Sequence, residues 1–469
     1  MRSCGGALPV FGGIALGILS VLLPGSVFIL FLAAGTGLLL AARTRSPDRR
    51  FILGIFWAAF LLRVAVSVGL DLGAGWRVGS APFSPPGDVA EGPPCVFDRT
   101  RGYVRMDDSD DYSACGYAWA RYAKGKREPP VLFPLNSPYG RNSYLFVLGG
   151  FYYLFGFSPI TVKWINCLLG ATLVPVIFAL ARACFNRVVA RWACVLTAFF
   201  PSLVLWSASN LKEPALFLAT ATFFLFWFRF VSGQQLSKRL FIGVGLVGVG
   251  MIHASLREPL YTWVLFLSSG VAYLLTAPWR FRWRLPLLVA LFAAVLFAWP
   301  RGVSRELSYV LWRHTLTAQI PDEPLGTLEH RYRFLPPFYY TEEGKMQLKH
   351  REFKATPTQL FPWAAKAWGH YLLEPLPWNS RGLFQLAVYP QLLFWYYCLF
   401  LAAMGIGFSF LRGVEGHTFC LLMGLISLSV IGALPSGNAG TVFRLRDIIT
   451  PMVLIFACAG VRGWGDGTD

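Results

Sequence analysis

Residues 43–70 read "RTRSPDRRFILGIFWAAFLLRVAVSVGL". Arg43, Arg45, Arg49 and Arg50 crowd the first eight positions, and the next twenty are almost wholly apolar. A helix of about 20 residues rises about 30 Å, the thickness of a bilayer's hydrocarbon core. A short basic connection followed by a span is the unit from which polytopic membrane proteins are built, and the rest of the chain repeats it. Of 469 residues, 55% are hydrophobic and 14% charged, with positive mean hydropathy. That is too apolar for an ordinary soluble protein. The expected class is an all-α polytopic membrane protein.

Working outward, twelve spans are expected, near 8–23, 26–42, 51–70, 160–181, 188–206, 214–231, 240–253, 259–277, 285–300, 384–411, 418–434 and 448–462. Arg2 and an apolar run open the chain, but a second apolar run follows at once, so a retained hairpin is expected rather than a cleaved signal peptide. The divisions are this hairpin (1–42), a transmembrane core (43–300) that includes a hydrophilic loop (71–142), a second hydrophilic region (301–382) and the C-terminal spans (383–469).

Alternate connections carry Arg43, Arg45, Arg49 and Arg50; Arg182, Arg187 and Arg191; Arg229, Lys238 and Arg239; Arg280, Arg282 and Arg284; and Arg412. The positive-inside rule makes these cytoplasmic, with both termini inside. The net charge of +18 follows in good part from such loops. No basic-aromatic recognition module occurs, so nucleic acid is not an expected partner. Both long loops and the turns 207–213, 254–258 and 435–447 then face outward. There they collect "NLKEP" with Lys212 and Glu213, "SLREP" with Arg257 and Glu258, and "GNAGTVFRLRD" with Arg444, Arg446 and Asp447. Charges at span mouths are costly and tend to be functional; the plainer reading is that they anchor and snorkel at the interface.

The outer loop 71–142 also holds "MDDSDDY" (106–112), with Asp107, Asp108, Asp110 and Asp111 in five positions. One reading makes Ser109 the cap of a helix beginning near Asp110, its acids complementing the helix dipole. The other makes a catalytic or metal-binding carboxylate. Cys95 and Cys115 share this loop and could pair if it faces an oxidising compartment, a pairing the sequence leaves open; the thiols inside apolar runs, such as Cys167, Cys194 and Cys420, read as small buried side chains. In 301–382, "RELSYVLWRHTL" and "QLFPWAAKAWGHYLLEPLPW" read as amphipathic helices. They either lie on the membrane and wall a cavity at the outer leaflet, or pack as an extracellular subdomain.

"GVGLVG" (243–248) matches a dinucleotide-binding pattern, but it sits inside a span with no strand before it, so close helix packing explains it better. No P-loop, H-E-x-x-H or C-x-x-C pattern occurs. No inverted repeat of broken helices stands out, which weakens a secondary-transporter reading.

These outward-facing residues resemble the membrane glycosyltransferases of the GT-C fold. Within them the chain is most similar to bacterial enzymes related to protein O-mannosyltransferases and to the aminoarabinose transferases of lipid A. That family carries, in its first large outer loop, an acid four residues before a Tyr or Phe, then an alanine-containing helix and a glycine. Here Asp108 and Tyr112 precede Ala114, Ala118, Ala120 and Gly125. "FPLNSPYGRNSYLFVLGGFYYLFGFSP" (133–159) and "WINCLLGATLVPVIFALA" follow, and "SNLKEP", "LLEPLPW" and "GTVFRLRD" also fit. Two extra spans precede the acidic loop, where the family often has one.

The resemblance implies transfer of a sugar from a polyprenyl-phosphate donor to a glycan, lipid or protein acceptor at the outer face of a cell (inner) membrane, with inversion by a single displacement. It implies Asp108 as the base for the acceptor hydroxyl, with Asp110 or Asp111 able to serve instead, to orient the acceptor or to hold a divalent cation such as Mg or Mn. Tyr112, Tyr139, Lys212, Glu213, Arg257, Arg444 and Arg446 are the expected substrate-binding residues, the cations meeting the lipid phosphate. Glu213, Glu258 and Asp447 either orient those cations or merely neutralise them. The alternatives are a polymerase or ligase of lipid-linked oligosaccharides, and a transporter or flippase. The last expects charge buried at mid-span.

Overall fold

The computed structural model describes residues 25–44, 46–78, 107–125, 143–233, 235–257, 259–276, 357–374, 376, 383–413, 415–434 and 439–463. Among them are helices and no strands. In chain order they are α1 Ser26–Arg43, α2 Ser46–Val78, α3 Asp107–Ala123, α4 Ser143–Phe155, α5 Pro159–Cys184, α6 Arg187–Phe199, α7 Pro201–Ser207 and α8 Glu213–Ser232. There follow α9 Leu236–Leu256, α10 Pro259–Thr276, α11 Pro357–Leu373, α12 Leu383–Leu411, α13 Gly416–Ala433, α14 Ala439–Arg446 and α15 Thr450–Gly463.

Eight of these helices contain a stretch long and apolar enough to cross a membrane: α1, α2, α5, α8, α9, α10, α12 and α13. They coincide with eight expected spans, and the chain is a multi-pass membrane protein. The expected span 188–206 is two helices, α6 and α7, bent by 54°. Pro201 causes the break: it forces Phe200 into an extended conformation and takes the first position of α7, where a missing N–H costs nothing. The final expected span is represented by the shorter apolar helix Thr450–Val461. The spans near 8–23 and 285–300 and the segment "RELSYVLWRHTL" lie outside the described residues.

Two boundaries differ from expectation. Helix α2 runs to Val78, so Asp71 belongs to the helix rather than to the loop, and it pairs with Lys163 of α5. Helix α3 begins at Asp107, so Ser109 sits in its first turn instead of capping it.

The fold groups into two units, Met1–Val176 with Thr197–Leu218, and Ile177–Leu196 with Ala219–Asp469. In the first, α1 packs on α2, α2 on α7 and α3 on α4. The α3–α4 contact depends on glycine: a Cβ at Gly116 would fall 2.6 Å from Leu148 Cβ. In the second, α10 packs on α13, α12 on α15, α9 on α10, and α11 on both α13 and α14. "GVGLVG" lies within α9, where Gly245 faces the ring of Phe226, as close helix packing requires.

Candidate functional site

In the first unit, four elements converge on a buried polar chain. Asn166 of α5 donates from Nδ2 to the carbonyls of Ser209 and Leu211, each at 2.7 Å, and to the Tyr144 hydroxyl at 2.8 Å. Tyr144, on α4, donates its hydroxyl to Asn210 Oδ1 at 2.8 Å. Asn210 Nδ2 donates to Ser113 Oγ at 2.5 Å. Asn166, Tyr144, Asn210 and Ser113 are all buried. Polar side chains are rare in an apolar interior unless they bond to one another; here they do, except that Asn166 Oδ1 has no partner among the described residues.

The two ends of this chain are the segments singled out by sequence. Ser113 lies on α3, the aspartate helix, one residue after Tyr112. The Tyr112 ring is 2% exposed and meets Tyr144 edge-on, with centroids 5.9 Å apart. By helical register, position 108 is one turn before Tyr112 on the same side, positions 108 and 110 flank the packed face, and position 111 falls opposite it. The side chains of Asp107, Asp108, Asp110 and Asp111 lie outside the described residues, as does all of Tyr139.

At the other end, residues 209–211 run straight into Lys212 and Glu213. The Lys212 carbonyl accepts the first bond of α8, from Leu216 N–H at 3.1 Å. Glu213 and Pro214 occupy the first turn, where an acid suits the dipole and proline's missing N–H is harmless. Lys212 and Glu213 are 6% and 1% exposed. Two charges taken this far from water exceed what helix capping asks for.

Below this, Arg63 lies in the middle of α2 and is fully buried. Its Nη1 donates to the Ala198 carbonyl at 2.8 Å and the Ala59 carbonyl at 3.1 Å, and Nη2 reaches the Thr197 carbonyl at 3.4 Å. These include the carbonyls freed where α6 ends. Gly170 of α5 leaves room for Ser207 and Arg63, which a Cβ there would strike. This is the mid-span charge that a transporter would use; both of its terminal nitrogens donate to backbone, while Nε has no partner among the described residues.

The second unit holds the remaining expected cations. Arg257 ends α9, its N–H bonded to the His253 carbonyl at 3.1 Å and its guanidinium 5.5 Å from the centre of the Tyr261 ring. His253 Nδ1 meets Thr262 Oγ1 at 2.8 Å and ties α9 to α10. Arg444 is half-buried on α14. Arg446 is 2% exposed. Its Nη1 donates to the Glu374 carbonyl at 2.6 Å, and its guanidinium lies 4.7 Å from the centre of a Trp395 ring and 5.1 Å from that of Phe443. Burial pulls it down to about 10, against the opposing pull of Asp447 and Tyr371, so it stays cationic at neutral pH. Asp447 accepts from Thr450 Oγ1 at 2.8 Å. Glu374 Oε2 accepts from Leu376 N–H at 2.9 Å and Oε1 meets His370 Nδ1 at 3.1 Å. The Tyr371 hydroxyl donates to the Leu445 carbonyl at 2.8 Å. The segment "QLFPWAAKAWGHYLL" is therefore a packed helix, α11, bound to α13 and α14. Glu258 lies outside the described residues.

Among the described residues no three His, Cys, Asp or Glu side chains come together as metal ligands. Sequence reasoning passed over Asn166, Tyr144, Asn210, Ser113 and Arg63. A lone Asn or Arg inside an apolar span was the available signal, since such residues are expensive there.

With this geometry in view, known proteins add three findings. Residues 143–300 match the family profile described as dolichyl-phosphate-mannose-protein mannosyltransferase. No curated protein matches the chain. The structure is similar to that of the archaeal oligosaccharyltransferase AglB from Archaeoglobus fulgidus, solved in complex with an inhibitory peptide and a dolichol-phosphate, with a TM-score of 0.50 and 14% sequence identity. The chain has the GT-C fold. The match covers 89% of this chain and 51% of that one, so this GT-C chain spans about half the length of the oligosaccharyltransferase. The GT-C profile match takes in α4 to α10, and with them Tyr144, Asn166 and the whole 209–213 turn.

Proposed function

We propose that the protein transfers a sugar from a polyprenyl-phosphate donor to an acceptor hydroxyl at the outer face of a cell membrane. The observation that carries this reading is the hydrogen-bonded chain from Asn166 through Tyr144 and Asn210 to Ser113, which binds the aspartate helix to the Lys212–Glu213 turn. The profile match across that turn and the dolichol-phosphate-bound GT-C neighbour support it.

A hydroxyl is a weak nucleophile and needs a base within hydrogen-bond reach. Asp108 takes the proton as the oxygen attacks the anomeric carbon, and the bond to the lipid phosphate breaks on the opposite side, inverting the centre. Charge grows on the leaving phosphate, and a fixed cation stabilises it most where water is excluded. Lys212, buried and next to Glu213, is the cation of this unit for that role. Arg257 and Arg444 of the second unit have the same chemistry and are separate candidates. Arg446 is assigned a bracing role because its Nη1 is committed to backbone. Asp110 and Asp111 orient the acceptor or hold a divalent cation, and treatment with EDTA separates the two.

The test is transfer from a polyprenyl-phosphate sugar in membranes containing Asp108→Asn, Asp110→Asn or Asp111→Asn. Asp108→Asn is expected to lose activity by at least about a hundredfold, and Asp111→Asn the least of the three. Full activity in all three variants at normal expression overturns the base assignment. Labelling of Ser109→Cys from the cytoplasmic side inverts the topology and removes the outer-face reading.

A further inference from the structure

We infer that Asn166, Tyr144 and Asn210 are positioning residues: a one-directional hydrogen-bond chain that fixes the first turn of α3 in register with the Lys212–Glu213 turn. The link to catalysis rests on the function proposed above, whereas the positioning itself does not.

The direction of the chain follows from its fixed end. Asn166 contacts two backbone carbonyls, Ser209 O and Leu211 O, which only accept, so the atom facing them is the amide nitrogen. That nitrogen also meets the Tyr144 hydroxyl, so one of its two hydrogens is shared between acceptors. The hydroxyl in turn donates to Asn210, whose facing atom is the carbonyl oxygen. This sets the Asn210 amide nitrogen toward Ser113 Oγ, its nearest acceptor at 2.5 Å, with the Tyr152 hydroxyl farther off at 3.5 Å. No amide in the series has a free choice of orientation.

Two features make this a positioning device. The carbonyls held by Asn166 flank Asn210, so one side chain grips the turn on both sides of the residue that reaches α3. Ser113 sits on a continuous 17-residue helix five positions after Asp108, so a helix held at Ser113 holds the rotation of its first turn. The α3–α4 interface supplies close approach at Gly116 and ring contact at Tyr112, which set spacing. The directional bond at Ser113 adds rotational register, which apolar contact supplies poorly.

The experiment uses the full chain in membranes with two readouts. One is the rate at which a membrane-impermeant maleimide labels Ser109→Cys, against the background of the same chain with Ser109 intact. Position 109 is four residues before Ser113 and seven before Gly116 on α3, and the rate in the parent chain is the reference. The other is kcat and KM for the polyprenyl-phosphate sugar. Tyr144→Phe keeps the ring on Tyr112 and deletes only the hydroxyl. Ser113→Ala removes the terminal acceptor and is the variant of record if Tyr144→Phe does not fold. Either is expected to speed labelling by about tenfold. Each is expected to lower kcat between about tenfold and about a hundredfold, with KM changed less than about twofold. If the parent protein is active and either readout is unchanged in both variants, the inference is overturned. If labelling accelerates while the parent shows no transfer, positioning stands and the proposed enzyme falls.

Discussion

Nη1 of Arg446 lies 2.6 Å from the carbonyl oxygen of Glu374, one residue beyond the end of α11. The guanidinium thereby joins α14 to the C-terminus of α11, where the Leu373 carbonyl accepts from the Tyr396 hydroxyl at 2.6 Å. Trp395 flanks it and donates from its own Nε1 to the Leu372 carbonyl at 2.8 Å. Arg446→Ala is expected to cost about 2 to 3 kcal/mol, as for hydrogen bonds to charged groups. Arg446→Lys is expected to recover little of it, because an ammonium cannot lie flat on the ring and reach the carbonyl at once. Thermal unfolding in detergent measures both; a wild-type melting temperature for Arg446→Ala returns this residue to the phosphate candidates.

Tyr371 predicts an alkaline effect. It is fully buried, and burial holds its phenol well above the ordinary value of 10.0. A raised folded value means that stability is fully present below about pH 10 and is lost as pH rises toward the folded value. Tyr371→Phe is expected to cost about 1 kcal/mol near neutral pH, from the lost bond to Leu445. The deficit should shrink above about pH 10, since the variant has no phenol to ionise. Melting curves at neutral and alkaline pH check this, and a constant deficit contradicts it.

Neighbouring glycines on α4 should respond oppositely to alanine. A Cβ at Gly149 would lie 3.0 Å from Trp119 Cβ, while one at Gly150 meets nothing within 4 Å. Gly149→Ala is expected to destabilise by about 1 to 3 kcal/mol through overpacking. Gly150→Ala is expected to stabilise by about 0.5 to 1 kcal/mol through helix propensity. The pair is read by thermal unfolding, and equal effects of one sign contradict the α3–α4 geometry.

Arg63→Met tests the brace beneath the 209–213 turn. The substitution keeps most of the side-chain volume but strands the Thr197 and Ala198 carbonyls, at an expected cost of about 1 to 3 kcal/mol. Gly170→Ala pushes on the same spot from α5 and is expected to destabilise similarly. Because the two share a contact, the double variant should fall short of additivity in unfolding measurements.

The sequence made the spans legible wherever twenty apolar residues stood between polar connections, as at 51–70 and 214–231. It concealed the bend at Phe200 because the window over 188–206 averages across Pro201. Helix α4 was read only as an aromatic stretch, since Ser143–Phe155 is too short to cross a bilayer and carries no polar alternation. The polar chain was invisible for a different reason. Asn166 and Asn210 each look like an isolated polar residue in an apolar setting, and only folding shows that they share Tyr144. Arg63 likewise has partners 134 and 135 residues away, beyond any local pattern.

That separation has a consequence for assembly. A growing chain releases α2 into the bilayer before residues 197 and 198 have been made. For that interval the Arg63 cation sits in hydrocarbon with only the Ala59 carbonyl of its own helix nearby, a penalty of roughly 3 kcal/mol on insertion scales. The apolar run on either side must carry the helix in regardless. When α6 arrives and ends at its proline break, its loose carbonyls find a charge already waiting, so a liability during synthesis becomes the order in which two distant parts of the chain are joined.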